Sequence, residues 1–403
     1  MAQLHRRPND EKRNFRRHLL GAVPGVALLA VAFTQAQAAE RRPERTPAAQ
    51  AAKAAKAPAA PVTRVAQAGS YIPPAAAELP AHRILAAQIR ALGESFNGDI
   101  GIAVKDVETG WTAAYDGNTF FPQQSVSKFW VALTALDKSD RGEIDLHRAV
   151  TLHKSDLTLF NQPIARLIGS NGYTTTIASL IERAMQQSDN TANDFILWQV
   201  GGPDAVRDFL GRNGISGIRF GPGERLMQAR IAGMEWQPSF VGSRFYTARN
   251  AVPSHVRRSA FESYVRDPVD GATPLGIVDT LARLQKGEIL SPGSTDRLLR
   301  IMSNTRTGPQ RLKGGLGAGW SLAHKTGTGQ VLGATQSGYN DIGIVTSPNG
   351  KHYAVAVMIR RTAAPIPQRM EMMQSVTRAI INYDRNLGSV SFAGGGGTPV
   401  STK

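Results

Sequence analysis

The feature that most constrains this chain is a hairpin signal near its C-terminal end. Ile342 to Thr346 and Tyr353 to Ile359 are two short apolar runs, with Pro348-Asn349-Gly350 between them. Asn-Gly suits the tight turn of a twisted antiparallel pair, so these runs read as adjacent strands. A second strand-turn-strand lies far away in sequence: Ile100 to Val107, Glu108-Thr109-Gly110, then Trp111 to Tyr115. The segments between carry helical spacing. Val126, Phe129, Trp130, Leu133 and Leu136 mark a buried helix starting near Ser125, and Ile177, Leu180, Ile181, Ala184 and Met185 mark another. Ala192 to Val200 and the stretch from Pro203 to Gly211 continue the helical middle. A first helix is expected over 79–93, on Leu85, Ile89 and Leu92, and a last one after Pro367. Strands at both ends with helices between them predict an α+β fold: a sheet built from both termini with a helical subdomain inserted, and not alternating βαβ units.

At 403 residues and 41% hydrophobic content the chain can bury a sizeable core. Its formal charge of +16 invites a nucleic-acid reading. The distribution argues otherwise. Residues 1–68 hold twelve Lys/Arg against four Asp/Glu, half of the whole excess, and the rest is spread without a dense run. Nucleic-acid binding needs a basic face and not only a basic total, so no nucleic-acid partner is expected. The absence of cysteine excludes Cys-ligated zinc, a thiol nucleophile and disulfides. The eight histidines form no HExxH pair, so neither metal nor cofactor is expected.

Arg13, Arg16 and Arg17 precede an apolar run from Leu19 to Phe33, which closes in Ala36-Gln37-Ala38. This order reads as a signal peptide over 1–38, and predicts a periplasmic or secreted protein with no stable membrane span after processing. Arg16-Arg17 leaves the twin-arginine route open beside the general one. The Ala-, Pro- and Lys-rich stretch 39–74 reads as a mobile linker, and 386–403, with Gly394 to Gly397 in a row, as a loose tail. The folded domain is expected over 75–385.

Three short motifs could carry chemistry. In Ser125-Val126-Ser127-Lys128 the serine sits at a helix start, where free N–H groups favour developing negative charge. Lys128 follows one turn later on the same face, placed to take the hydroxyl proton. Alone this is a weak signal, and a capping serine and a surface lysine would be the better reading. Ser188-Asp189-Asn190 lies on a loop between two helical patterns and could be a helix-capping cluster. Lys325-Thr326-Gly327-Thr328-Gly329 follows the apolar Trp320 to Ala323, as at a strand edge. By composition the three together, in this order, should arise by chance in roughly one chain in a thousand.

Ser-x-x-Lys, Ser-Asp-Asn and Lys-Thr-Gly are the signature set of class A β-lactamases and penicillin-binding proteins. The wider contexts, Ser188 to Asn193, Lys325 to Gly329 and Tyr339-Asn340-Asp341, most resemble class A β-lactamases, over about residues 80–385. The resemblance implies a β-lactamase/transpeptidase-like α+β fold: a five-stranded antiparallel sheet flanked by helices, with an inserted all-helical subdomain. It implies that Ser125 is the acylated nucleophile, Lys128 its proton-handling neighbour and Ser188 the donor to the leaving nitrogen. Asn190 looks like a ligand of the substrate's side-chain amide. Lys325, Thr326 and Thr328, with Gly327 between them, look like the binders of its carboxylate. The backbone N–H groups of Ser125 and Thr328 resemble an oxyanion hole. The implied partner is a small β-lactam or a peptidoglycan stem peptide, bound by a monomer.

Within that superfamily, function turns on the water that removes the acyl group. Class A β-lactamases carry a glutamate between the second and third motifs as general base. Glu224, 36 residues after Ser188, resembles it in spacing. Met227 and Gln228 stand where the class usually has Leu and Asn, and Gln228 can still bond a water or substrate through its amide. The segment 229–270 is longer than usual and carries Trp236, Phe240, Phe245, Tyr246, Phe261 and Tyr264, which predicts a packed insertion. The readings that follow are a β-lactamase using Ser125 and Glu224, a D-Ala-D-Ala carboxypeptidase or related cell-wall hydrolase, or a binding or sensing protein without turnover.

Overall fold

The computed structural model describes residues 79–241 and 244–393. The expected signal peptide, the linker over 39–74 and the glycine run from 394 onward lie outside the described residues. The sheet has β1 (Asp99–Asp106), β2 (Thr112–Tyr115), β3 (Ser321–Thr328), β4 (Thr335–Thr346) and β5 (His352–Thr362), in the spatial order β2-β1-β5-β4-β3. All neighbours are antiparallel, and a two-residue strand, Val331–Leu332, adds to β4. The expected hairpin is β4–β5, with Gly350 at φ +79° in its turn. First and last strands meet at the centre, β1 against β5, as expected of a sheet assembled from both termini.

Eleven helices accompany it among the described residues: α1 (Pro80–Ser95), α2 (Lys128–Asp140), α3 (Ile177–Gln186), α4 (Asn190–Gln199), α5 (Gly202–Arg212), α6 (Glu224–Ile231), α7 (Arg244–Ala251), α8 (Ser254–Arg266), α9 (Pro274–Gln285), α10 (Pro292–Ser303) and α11 (Ile366–Ala393). Alternation along β5 divides the core in two. Tyr353, Val355, Val357 and Ile359 face a layer that holds Leu85 and Ile89 of α1 and Met373, Val376 and Ile380 of α11. Ala354, Ala356 and Met358 face the other way, toward Ile277, Val278 and Leu281 of α9 and the helical subdomain. Both faces are thus covered, which is why β5 reads as a nearly continuous apolar run.

In the subdomain α2 packs against α3, α4, α5 and α10. Every α2 residue from Lys128 to Leu136 is buried. A helix buried all round is a central one, and Phe129 and Trp130 inside it each contribute about 1.5–3 kcal/mol or more through burial.

The insertion is packed, as its aromatics predict. Met227, Ile231, Phe261, Tyr264 and Val265 form one small cluster; Leu159, Ala232 and Phe245, with Trp236 and Phe240, form another. Two details depart from expectation. The helix near Ser125 opens as a tight 3-10 turn, Gln124–Ser127, and Gln124 at its start takes a left-handed φ of 53°. Residues 386–393, expected to be loose, continue α11, and Leu387 packs onto the α1–α11 layer; the glycine run starts only at Gly394. Among the described residues no helix is long and apolar enough to cross a membrane.

Candidate active site

Ser125 lies in the 3-10 turn that launches α2. The left-handed residue before it is held from distant parts of the chain. The Gln124 N–H donates to Asp270 Oδ2 at 2.8 Å, and Asn340 Nδ2 of β4 donates to the Pro122 and Gln123 carbonyls at 2.7 and 3.0 Å. Strand β3 passes close by. A Cβ at Gly327 would sit 2.3 Å from the Gln123 carbonyl oxygen, so glycine there lets the strand approach the turn that carries Ser125.

Lys128, one turn after Ser125, is fully buried and bonds both ways. Its Nζ donates to Ser125 Oγ at 2.8 Å and pairs with Glu224 Oε1. Glu224 opens α6, where its backbone N–H donates to Asp194 Oδ1 at 2.9 Å. Its second oxygen accepts from Gln228 Nε2 at 3.2 Å, and the same nitrogen donates to Gln124 Oε1 at 2.8 Å. Gln330 Nε2 donates to Gln228 Oε1 at 3.0 Å and to its carbonyl at 2.8 Å. The amide of Gln228 is therefore fixed on both sides, and it aims a donor at the Glu224 carboxylate.

Ser188 also takes a left-handed φ, 57°, in the loop between α3 and α4. Asn161 Nδ2 clamps that loop through the Gln187 and Ser188 carbonyls, at 2.7 and 2.9 Å. Asp189 caps α4: Oδ1 accepts from the Ala192 N–H at 2.9 Å and Oδ2 from the Ile164 N–H at 2.7 Å. Lys325 Nζ reaches across from β3 and donates to Ser188 Oγ at 3.0 Å. Burial, with the positive charges of Lys128 and Arg311 nearby, holds Lys325 well below the ordinary lysine range. Asn190 donates through Nδ2 to the Leu159 carbonyl at 2.8 Å, while its buried Oδ1 has no partner.

These groups border one cavity of about 480 Å³, within the range that takes a drug-sized ligand. Ser125, Ser188, Asn190, Glu224, Gln228, Thr326 and Thr328 all line it. Lys128 and Lys325 stand behind the two serines, and Gly327 lies within β3. The sequence motifs thus converge at one place. Arg311, which carries no motif, was missed. Its Nη1 donates to the Gly327 and Asn340 carbonyls at 2.9 and 2.6 Å, its Nη2 donates to Thr328 Oγ1, and its guanidinium lies 3.8 Å from the Tyr339 ring centroid. It puts a fixed positive charge beside the hydroxyl of Thr328. Among the described residues no group of three His, Asp or Glu could hold a metal ion.

Behind Ser125, Asp270 also accepts from Tyr264 Oη at 3.0 Å, and burial pushes its carboxyl up to about 7. A raised carboxylate favours the folded state below its unfolded pKa and loses that advantage as pH rises through the folded one. Between about pH 4 and 7 the wild type should lose about 3 kcal/mol of unfolding free energy relative to an Asp270→Asn variant. Urea melts across that range would check the slope; parallel curves for the two proteins would refute the assignment.

A model of the β-lactamase enzyme family matches residues 84–383. The chain is 27% identical to β-lactamase VEB-1 of Pseudomonas aeruginosa over 290 residues, which is 72% of this chain and 87% of that protein. Among solved structures, a β-lactamase from Chitinophaga pinensis superposes with a TM-score of 0.59 at 28% identity, covering 75% of this chain and 97% of that one. The TLA-3 extended-spectrum β-lactamase gives 0.62 at 27% identity, covering 75% and 98%.

Proposed function

Because this chain belongs to the β-lactamase enzyme family, we propose that it is a class A serine β-lactamase, opening the lactam amide through a covalent acyl-enzyme on Ser125. Lys128 first gives a proton to Glu224. The Ser125 hydroxyl then attacks the lactam carbonyl carbon as its proton passes to Lys128. The C–N bond breaks as Ser188 hands its proton to the ring nitrogen and is reprotonated by Lys128, which takes its own proton back from Glu224. The backbone N–H groups of Ser125 and Thr328 stabilise the tetrahedral oxygen; such donors are typically worth about 3 kcal/mol each. Thr326 and Thr328, with Lys325 behind and Arg311 beside them, take the ring carboxylate. Asn190 takes the side-chain amide, for which its buried, unpartnered Oδ1 is suited. In the second half Glu224 removes a proton from water, the water attacks the ester carbonyl, and Ser125 leaves with its proton restored.

One observation carries the hydrolytic reading over a non-turnover one. Glu224 lines the same cavity as Ser125, with its carboxylate tied to Lys128 and to the fixed amide of Gln228. A base in that position serves the second step as directly as the first.

We also propose that the protein acts outside the cytoplasm, a reading supported by the basic, apolar and small-residue order over 13–38. One experiment addresses both. Cells expressing the full chain should hydrolyse a chromogenic cephalosporin catalytically in the periplasmic fraction, and Ser125→Ala protein in that fraction should neither hydrolyse it nor bind a fluorescent penicillin covalently. A single stoichiometric burst from the wild type would sink the hydrolase, and activity confined to the cytoplasm would sink the export.

A further inference from the structure

The cavity is bordered by two arginines that differ in how they are engaged. Arg311 is bonded to two carbonyls and a hydroxyl. Arg249, from the insertion helix α7, is held against aromatic rings. Phe245 is buried and packs edge-on against Phe160, with centroids 5.2 Å apart, and Tyr246 meets the same ring at 6.1 Å. The Arg249 guanidinium lies one helical turn on, 5.2 Å from the Tyr246 centroid and 6.0 Å from that of Phe245. Among the described residues no carboxylate pairs with it, and its buried Nε has no hydrogen-bond partner. The cavity's own acid, Glu224, is already engaged by Lys128 and Gln228.

Its place in the cleft is equally specific. Arg249 borders Gln330, whose amide bonds Gln228, and Ala232 just after α6. It therefore shares Gln330 with the Glu224–Gln228 pair, while the ring carboxylate is already provided for by Thr326, Thr328 and Arg311. A planar cation stacked on aromatic faces loses little freedom on binding and favours a second carboxylate in fork geometry.

We propose that Arg249 is a specificity-determining residue, selecting β-lactams whose acyl side chain carries its own anionic group. This rests on the β-lactamase reading and names a substrate class within it. The pair of benzylpenicillin and its α-carboxy derivative isolates the feature, since the two differ by one carboxylate. Second-order rate constants for acylation of Ser125 by each, read by intact-mass quench or as kcat/KM, give a preference ratio in which any general loss of activity cancels.

Arg249→Gln should lower the ratio of the α-carboxy compound to its parent about tenfold, as loss of a charge-assisted contact does. Arg249→Glu should lower it further. Ratios within twofold of wild type in both variants, or two rates that fall together, would overturn the proposal. A wild type that acylates with the expected preference but does not turn over would uphold the role of Arg249 while removing the hydrolase reading.

Discussion

Replacing Glu224 by glutamine is expected to leave a protein that acylates and then stalls. The amide keeps the side chain's shape and its neighbours but cannot take a proton from water. General-base assistance contributes about two to four powers of ten, so deacylation should slow by that factor, about 3–5 kcal/mol of barrier. Mixed with excess penicillin, the Glu224→Gln protein should give a burst equal to its own concentration and then a slow steady state. Intact-mass spectrometry should find the protein heavier by one penicillin. Wild-type turnover in this variant would place the base elsewhere.

The second large effect is expected at Lys128, and it should appear in rate and in stability together. Removing the amine strips Ser125 of its proton acceptor, and acylation should fall by about three powers of ten, in line with the usual worth of a positioned base. The same change leaves the nearly fully buried Glu224 without its cation. Breaking a buried pair from one side typically costs about 3–5 kcal/mol, because the remaining charge is uncompensated. Lys128→Ala should therefore melt early as well as react slowly. The double variant Lys128→Ala with Glu224→Gln separates the two effects: most of the stability should return and none of the acylation rate. Additive losses in the thermal melts would show that the ion pair is not the coupling.

Most groups that line the candidate site were legible because they sit in short local patterns, whereas Glu224 was read from its spacing and from the family resemblance. Serine at a helix start with lysine one turn on, a capping loop between helices and a strand-edge Lys-Thr-Gly are all readable without knowing where the chain goes. The hairpin and the two-ended sheet were legible for the same reason. Arg311 and Arg249 were not. Their meaning comes from partners brought near by the fold, Gly327 and Asn340 for one and the ring of Phe160 behind α7 for the other. The left-handed Gln124 was hidden too. Nothing in Gln-Gln-Ser announces a positive φ, and the conformation persists because Asp270 and Asn340 grip that turn from outside. The extension of α11 to Ala393 depends on Leu387 finding the sheet layer, which composition near a glycine run does not reveal.

That grip on the nucleophile's turn has a consequence for how activity arises along the folding path. Gln124 is held by a residue 146 positions away, and Pro122 by one 218 positions away. Loops of that length close late, after local helices have formed. The turn bearing Ser125 therefore gains its shape only when β4 docks against the rest. A chain lacking β4 and β5 would hold Ser125, Lys128, Ser188 and Glu224 in its sequence and have no site, and on refolding penicillin should acylate Ser125 only with the slowest phase.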